Sequence, residues 1–584
     1  MIPSSTITKI TEEKLSPAQI AEEFNLPLSL AQVLCARGYD TSAKAHSFLD
    51  PGLDDLENPE RYPAMAMAAS RLMQAVRKEE TIVIYADRDV DGLTGMAILA
   101  RSLRTLGAHV VWGSPLRGRG VEHAVLETLA AHKPGICIFV DCGSSDESEL
   151  AWLRAQGIDL MVVDHHRVSE ERFKSSEGIY WIHSSAGKDS QEAPAGSVMA
   201  FKLAQTLWFS FLGSEDPARL DYFLFDHLDL LALGILADRM PVTGENRIFL
   251  RHGLQRLAAS RKTGLSALTR FFRLSPRPRP ITVHEATWRL IPMLNAGGRL
   301  GKPELTATLL TTEDILSARQ CIDELIKLNS LRRDAQARSL EVFEKAVLEQ
   351  CFVDQDPVLV AIACGLEPSV TGLAAQAIAR KYNRPAFLFV RQGNLAVGSA
   401  RGTNDADLYS WIEKHRDCVV KFGGHQGAAG LTINADVFET LKDRLLLEAF
   451  RVEAWKLPDD IEPEAEITLE QLDESWWREL QRLEPFGPGN PCPCFLVQNV
   501  HEIVPLSKRK AAKAAEDKLA SPLAVWLKSG GIQLLAELDM PEMGGDSVLT
   551  LGPGSWSVVG YPVAGRKNEP PFKWVVQKAW RTND

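Results

Sequence analysis

Apolar, β-branched runs that stop abruptly in acidic residues set the pattern of the first half of the chain. TIVIYA runs into Asp87, Asp89 and Asp91; ICIFV ends in Asp141; LMVV ends in Asp164, His165 and His166; and LLALGILA delivers Asp238. Short apolar runs bounded by polar residues fit strands buried on both faces. Between the first two runs, GMAILARSLRTLG has the spacing of an amphipathic helix and AHVVWGSP that of another strand. Strand alternating with helix from about 71 to 300 implies a parallel sheet covered on both sides. All four acidic run ends are then read as strand ends on one edge of that sheet, where open α/β sheets place ligands.

The rest of the chain divides by pattern. Residues 1–70 carry helical spacings such as SPAQIAEEF and LSLAQVLCARG. Residues 304–352 are almost free of glycine and proline, which predicts a long connecting helix. Residues 353–457 alternate strand and helix again, as a second α/β domain, and include NLAVGSARG and a glycine-rich loop, KFGGHQGAAG. Beyond PDDIEPEAE, residues 458–584 hold short strands, among them PLAVWLKS, GIQLLAEL and FKWVVQKAW, which predict a small β-barrel. The expected organisation is therefore a helical segment (1–70), a parallel-sheet domain (71–303), a helix, a second α/β domain and a barrel.

Composition changes the picture little. A length of 584 residues is too much for one core. Nine scattered cysteines show no zinc-ligand spacing and read as reduced thiols. No apolar run reaches membrane-spanning length, and MIPSSTITKITEEKL lacks the pattern of a signal peptide, so a cytoplasmic protein without a membrane partner is expected. The net charge of −11 argues against a broadly basic surface but leaves room for a narrow basic track.

The chemistry lies in the acids. Carboxylates gathered at one sheet edge repel one another unless a cation neutralises them. Oxygen donors with one or two imidazoles suit a catalytic divalent centre holding Mn²⁺ or Mg²⁺ better than a closed thiolate site. Two such cations bridged by a carboxylate, about 3.5–4 Å apart, suit phosphodiester hydrolysis. Arg117, beside glycines at a strand end, either forks onto a phosphate or is solvated on a loop, and Gly423 and Gly424 around His425 either let backbone N–H groups approach an anion or make a tight turn. Aromatic residues of the barrel with the basic run KRKAAKAAEDK offer stacking and charge to a single strand.

These stretches carry a resemblance. DRDVDG, DCGSSD, DHH and the Asp238 segment resemble, in order, the four motifs of the DHH phosphoesterase superfamily. RGYDT, FLDP, the Pro115–Arg117 turn, IPMLNAGGRL, GSARG with GGHQGAAG, and PFGPGNP extend the likeness to the RecJ-type single-strand exonucleases, with a DHHA1 domain and an oligonucleotide-binding barrel. The resemblance implies that Asp141 bridges two metals, that Asp87 and Asp89 serve one each, and that His165 and Asp238 complete the shell. It further implies that His166 touches the scissile phosphate and that Asp164 orients an imidazole, while Asp91 is either a ligand or a loop brace. Asn295, Arg299, Ser399, Arg401, Gly423, Gly424 and His425 would contact substrate, with Arg117, Ser399 and Arg401 on a 5′ phosphate.

The implied activity is 5′-to-3′ hydrolysis of single-stranded DNA in repair and recombination, the strand end passing between the two α/β domains. The enzyme would be a monomer, with a single-strand-binding protein or a helicase as candidate partner. Two alternatives stand beside it: a phosphodiesterase of short oligoribonucleotides or cyclic dinucleotides, and a non-catalytic strand-binding relative. The chain departs from the family pattern at Arg88 and Val90 in the first motif and at Leu116. It departs again at Glu367, where GLEPSVTG replaces a Trp-His-Pro-Gly-Val-Ile-Gly stretch.

Overall fold

The computed structural model describes residues 13–581 except 63, 117–119, 167–172, 174–177, 185–193, 213–216, 277–278, 354, 404–405, 452–461, 507–522, 539–552, 565–569 and 571. The chain forms two compact units, residues 1–325 with 462–584, and residues 326–461. Among the described residues no helix is long and apolar enough to cross a membrane.

The sheet of the first unit is built from the apolar runs. Strands β1 (Thr81–Ala86), β2 (His109–Gly113), β3 (Ile136–Val140), β4 (Asp159–Asp164) and β5 (Ile179–His183) lie in the order β2-β1-β3-β4-β5, all parallel. Every residue of β3 is buried, as are all but the first of β1 and β4, so the runs carry apolar side chains on both faces. The chain steps from β1 to β2 on one side and returns to β3 on the other. That reversal opens a crevice at the carboxyl ends of β1 and β3, the usual ligand position in such sheets. Helices Val90–Thr105, Gly196–Leu212 and Pro217–Ala237 pack against one another beside it.

One expected strand is a helix. The apolar run before Asp238 forms the end of the Pro217–Ala237 helix, and Asp238 follows its last turn. A continuous apolar run marks burial, not period; helix Pro217–Ala237 is buried along its last two turns, which removes the polar face that would have announced it.

Residues 462–584 form a closed barrel. Strand β11 (Ala465–Thr468) runs parallel to β12 (Phe495–Pro505), which continues through β13 (Leu523–Ser529), β14 (Ile532–Leu538), β16 (Phe572–Arg581) and β15 (Pro553–Ala564); pairing of β15 back onto β12 closes five strands. The amino-terminal helices share its core: Ile20, Leu30, Leu34 and Phe48 pack in one cluster with Trp476, Phe495 and Trp574. Arg37 reinforces the join, with Nε 2.6 Å and Nη2 2.8 Å from the Glu464 carboxylate and Nη1 2.6 Å from Asn490. The basic run KRKAAKAAEDK lies outside the described residues.

The second unit is a mixed sheet. β6 (Leu359–Ala363), β7 (Ala386–Gln392), β8 (Leu395–Arg401), β9 (Val419–His425) and β10 (Ala428–Asn434) lie in the order β6-β7-β8-β10-β9, with only β6 and β7 parallel. The predicted glycine loop is a hairpin. Gly423 and Gly424 belong to β9, and a Cβ on Gly424, at φ +149°, would stand 2.3 Å from the carbonyl of Ala428 on the partner strand. Gly424 serves close strand approach, whereas a Cβ on Gly423 would meet nothing within 4 Å; the sequence pattern does not separate such a hairpin from a loop. The helix Ile315–Gln350 starts in the first unit and continues into the second.

Candidate metal centre

Each acid is placed by the backbone that precedes it. The Asp87 N–H continues the ladder by donating to Val140 (3.1 Å), and the Asp141 N–H does the same to Val163 (2.9 Å), so both carboxylates leave the sheet at the same edge. Asp89 caps the Val90–Thr105 helix, its Oδ1 accepting from the N–H groups of Asp91 (3.0 Å) and Gly92 (3.3 Å). Gly92 is needed there, because a Cβ would stand 2.6 Å from the Asp87 carbonyl. Asp141 takes a left-handed backbone, φ +59°, uncommon outside glycine and asparagine and often found where function over-rules local preference.

The side chains converge. Asp87, Asp89 and Asp141 form one group whose donor atoms all lie within 4.8 Å of one another; Asp141, Asp164, His165 and His166 form a second; Asp91, His165 and Asp238 form a third. His165 Nε2 lies 3.1 Å from Asp141 Oδ1 and 3.6 Å from Asp238 Oδ2, joining the groups. Asp238 thus arrives from a helix end at the place expected of a strand end.

Asp164 organises both imidazoles. Its Oδ1 accepts from His166 Nδ1 (2.8 Å) and from the N–H groups of His165 (2.7 Å) and His166 (3.3 Å), and its Oδ2 accepts from the Ser144 N–H (3.4 Å). Burial opposes its charge, yet the bond and charge of His166 prevail and hold it below the usual carboxylate range. The hydrogen bond to Asp164 in turn pushes His166 up to about 9. Burial lowers His165.

The donor set fits divalent cations on an electrostatic test. Burial, then the charges of Asp91, Asp89, Asp164 and Asp87, push the Asp141 carboxyl well above the usual range. Buried like charges at this spacing are tolerable as ions only around a cation, and four carboxylates with His165 supply hard oxygen ligands and one nitrogen. Asp91 has a further role: its carboxylate accepts from the N–H groups of Gly196 (2.7 Å) and Ser197 (3.1 Å) and from the Ser197 hydroxyl, bracing the start of the Gly196–Leu212 helix.

The sequence pattern missed Gly196 and His183, and it named Asn295 without its clamping contact. Gly196 lets that helix approach the centre, since a Cβ there would lie 2.7 Å from the Asp141 Cβ. His183, buried on β5, donates Nε2–H to the His166 carbonyl (2.9 Å). Asn295 Oδ1 accepts from the Val90 N–H (3.0 Å), and Gly298 lies so close to the Arg88 carbonyl that a Cβ would be 2.1 Å away. The Ile291–Arg299 helix therefore clamps the first acidic loop, with Arg299 exposed at its end. Small residues at helix starts carry no distinctive pattern, so only PAGS ahead of a helical run hinted at Gly196.

Of the remaining expected residues, Arg117 and the side chain of His425 lie outside the described residues. Ser399 and Arg401 lie on β8, and Gly423 and Gly424 on β9, all in the second unit.

Residues 81–235 match the DHH family, N-terminal domain, 355–449 the DHHA1 domain, and 463–515 the RecJ OB domain. The chain is 31% identical over 490 residues to the single-stranded-DNA-specific exonuclease RecJ of Bacillus subtilis, covering 82% of this chain and 60% of that protein. It is 32% identical over 438 residues to the protein of that name from Thermus thermophilus, covering 74% and 61%. The chain thus spans about 60% of the length of these curated relatives. Two crystal structures of Thermus thermophilus RecJ superpose on 98% of it. The Mn²⁺ complex does so with a TM-score of 0.76 at 28% identity over 79% of that chain. The Mg²⁺ complex gives 0.71 at 26% over 78%. With its sheet edge, its mixed sheet and its closed barrel in that order along the sequence, the chain carries matches to the DHH, DHHA1 and RecJ OB domains and is similar to the RecJ exonucleases over most of its length.

Proposed function

We propose that this chain is a metal-dependent exonuclease that hydrolyses single-stranded DNA from its 5′ end. The observation that carries the reading is the junction of three donor groups through Asp141 and His165 at one sheet edge. Relatives named single-stranded-DNA-specific exonucleases, one of them solved with Mn²⁺ and with Mg²⁺, support it. When bound, a pair of such cations supplies an activated water and neutralises charge on the phosphodiester.

The residues have distinct tasks. Asp141, common to two donor groups, would bridge the cations, Asp87 and Asp89 would serve one each, and His165 and Asp238 would complete the shell. His166 is anchored through Nδ1 by Asp164, which leaves Nε2 on a half-exposed ring for a phosphate oxygen. Asn295 fixes the first acidic loop through Val90, and Arg299, at the end of the same helix, takes phosphate charge together with Arg117. Ser399 and Arg401, with Gly423, Gly424 and His425, bind the strand, its 5′ phosphate falling to Arg117, Ser399 and Arg401. The barrel grips bases further along. A role in repair and recombination as a cytoplasmic monomer, with a single-strand-binding protein or a helicase delivering the strand, completes the proposal.

Digestion of a single-stranded oligonucleotide labelled separately at each end, with Mn²⁺, tests it. Mononucleotides released first from the 5′ end are expected; release from the 3′ end, internal cuts or no cleavage would contradict it.

A further inference from the structure

A polar cluster at the start of the Thr371–Tyr382 helix, wholly within the second unit, has a proton arrangement that can be worked out. Thr371 is buried, and its hydroxyl lies 2.8 Å from the Pro368 carbonyl and 2.8 Å from Ser399 Oγ on β8. A carbonyl only accepts, so the Thr371 proton is committed to Pro368. The contact between the two hydroxyls must then use the proton of Ser399. With its only proton turned to Thr371, Ser399 retains lone pairs alone for other partners.

Those lone pairs belong to a cluster that otherwise suits an anion. Arg401, two residues on and on the same face of β8, brings Nη2 within 2.9 Å of where a Cβ on Gly372 would stand. Gly372 belongs to the first turn of a 12-residue helix, whose leading N–H groups have no partner within the helix.

We propose that Thr371 is a specificity-determining residue, which holds the Ser399 proton and so weakens the preference of this cluster for a 5′-phosphorylated strand end over a 5′-hydroxyl end. The proposal rests on the reading of Ser399 and Arg401 as substrate-binding groups. To donate to a phosphate oxygen, Ser399 has to break its bond to Thr371. Thr371→Val keeps the side-chain shape and removes the acceptor, which frees that proton.

The experiment measures binding of the full chain to one single-stranded oligonucleotide in 5′-phosphate and 5′-hydroxyl forms, by fluorescence anisotropy in EDTA so that nothing is hydrolysed. Thr371→Val is expected to raise the affinity ratio of phosphate over hydroxyl by roughly two- to tenfold, the worth of one hydrogen bond. Thr371→Ser is expected to leave the ratio as in the wild type, and Thr371→Val in a Ser399→Ala background to have no effect on it. The 5′-hydroxyl affinity reports in each variant whether the fold is intact. An unchanged or lowered ratio in Thr371→Val, or the same rise without Ser399, would overturn the proposal alone. Failure of the wild type to bind either oligonucleotide would overturn both it and the reading beneath it.

Discussion

Asp141 is the residue on which the centre turns, and its environment makes a two-sided expectation. It is buried among four other carboxylates, so its charge destabilises the metal-free fold. Asp141→Asn keeps the shape, and asparagine tolerates the left-handed backbone. The variant is expected to melt higher than the wild type in EDTA, while losing the stabilisation that Mn²⁺ gives the wild type, about 2.7 kcal/mol at a hundredfold excess over Kd. Differential scanning calorimetry with and without Mn²⁺ checks both halves; a variant that melts lower in EDTA would contradict the electrostatic argument. Asp164 acts differently, through the two imidazoles. Asp164→Asn is expected to lower Mn²⁺ affinity or hydrolysis by about 10–100-fold, the usual effect of losing a partner that orients a ligand.

At the scale of elements, the site depends on how closely helices approach the sheet edge. Gly196→Ala places a methyl 2.7 Å from the Asp141 Cβ, so the Gly196–Leu212 helix must retreat and take with it the contacts that brace Asp91. Weaker Mn²⁺ binding by isothermal titration is expected, and unaltered binding would show that the helix has room. Stability on the acid side is set in the neighbouring helix. His227 is buried, and burial lowers it to about 4 from an ordinary 6.5, so the folded state holds it neutral. Its contribution is complete above pH 6.5 and is lost as pH falls toward 4, because the unfolded chain takes up the proton first. At pH 5 the loss is about 2 kcal/mol. His227→Phe is expected to show a smaller fall in urea midpoint between pH 7 and pH 5 than the wild type; an equal fall would assign the acid sensitivity elsewhere.

Elements also show what the sequence could reveal. The strands ending in Asp87, Asp141 and Asp164 were legible because an apolar β-branched run closed by acids seldom arises except where a buried strand meets a polar site. The run before Asp238 was misread as a strand because burial on every side erases the helical period. Even so, its acid reaches the cluster, because the run ends at the same edge. The glycines around His425 suit an anion loop and a tight turn equally in the sequence, and strand pairing accounts for Gly424 alone. Gly196, His183 and the clamping role of Asn295 were hidden, since each acts through a contact between segments that no local pattern encodes.

At the scale of the whole molecule, the two ends of the chain form one core. Ile20, Leu30, Leu34 and Phe48 pack with Trp476, Phe495 and Trp574, and Arg37 forks onto Glu464. Removal of residues 1–50 therefore exposes barrel core, and the truncated protein is expected to show red-shifted tryptophan emission and a lower melting temperature. A native emission spectrum after truncation would mean that the barrel folds unaided. The likeness of the chain to the RecJ exonucleases was legible in its motifs, because acids closing apolar runs at separated places seldom recur without a common site.

In the proposed reading, carboxylates from three segments, with His165, hold the cations that cut a single strand. The most direct test of that reading is the initial rate of mononucleotide release from a 5′-labelled single-stranded oligonucleotide as Mn²⁺ is titrated, for the wild type and for Asp141→Asn. A rate that saturates with Mn²⁺ in the wild type and stays at background in the variant is expected. Full activity of Asp141→Asn at the same Mn²⁺, or wild-type hydrolysis undiminished in EDTA, would contradict it.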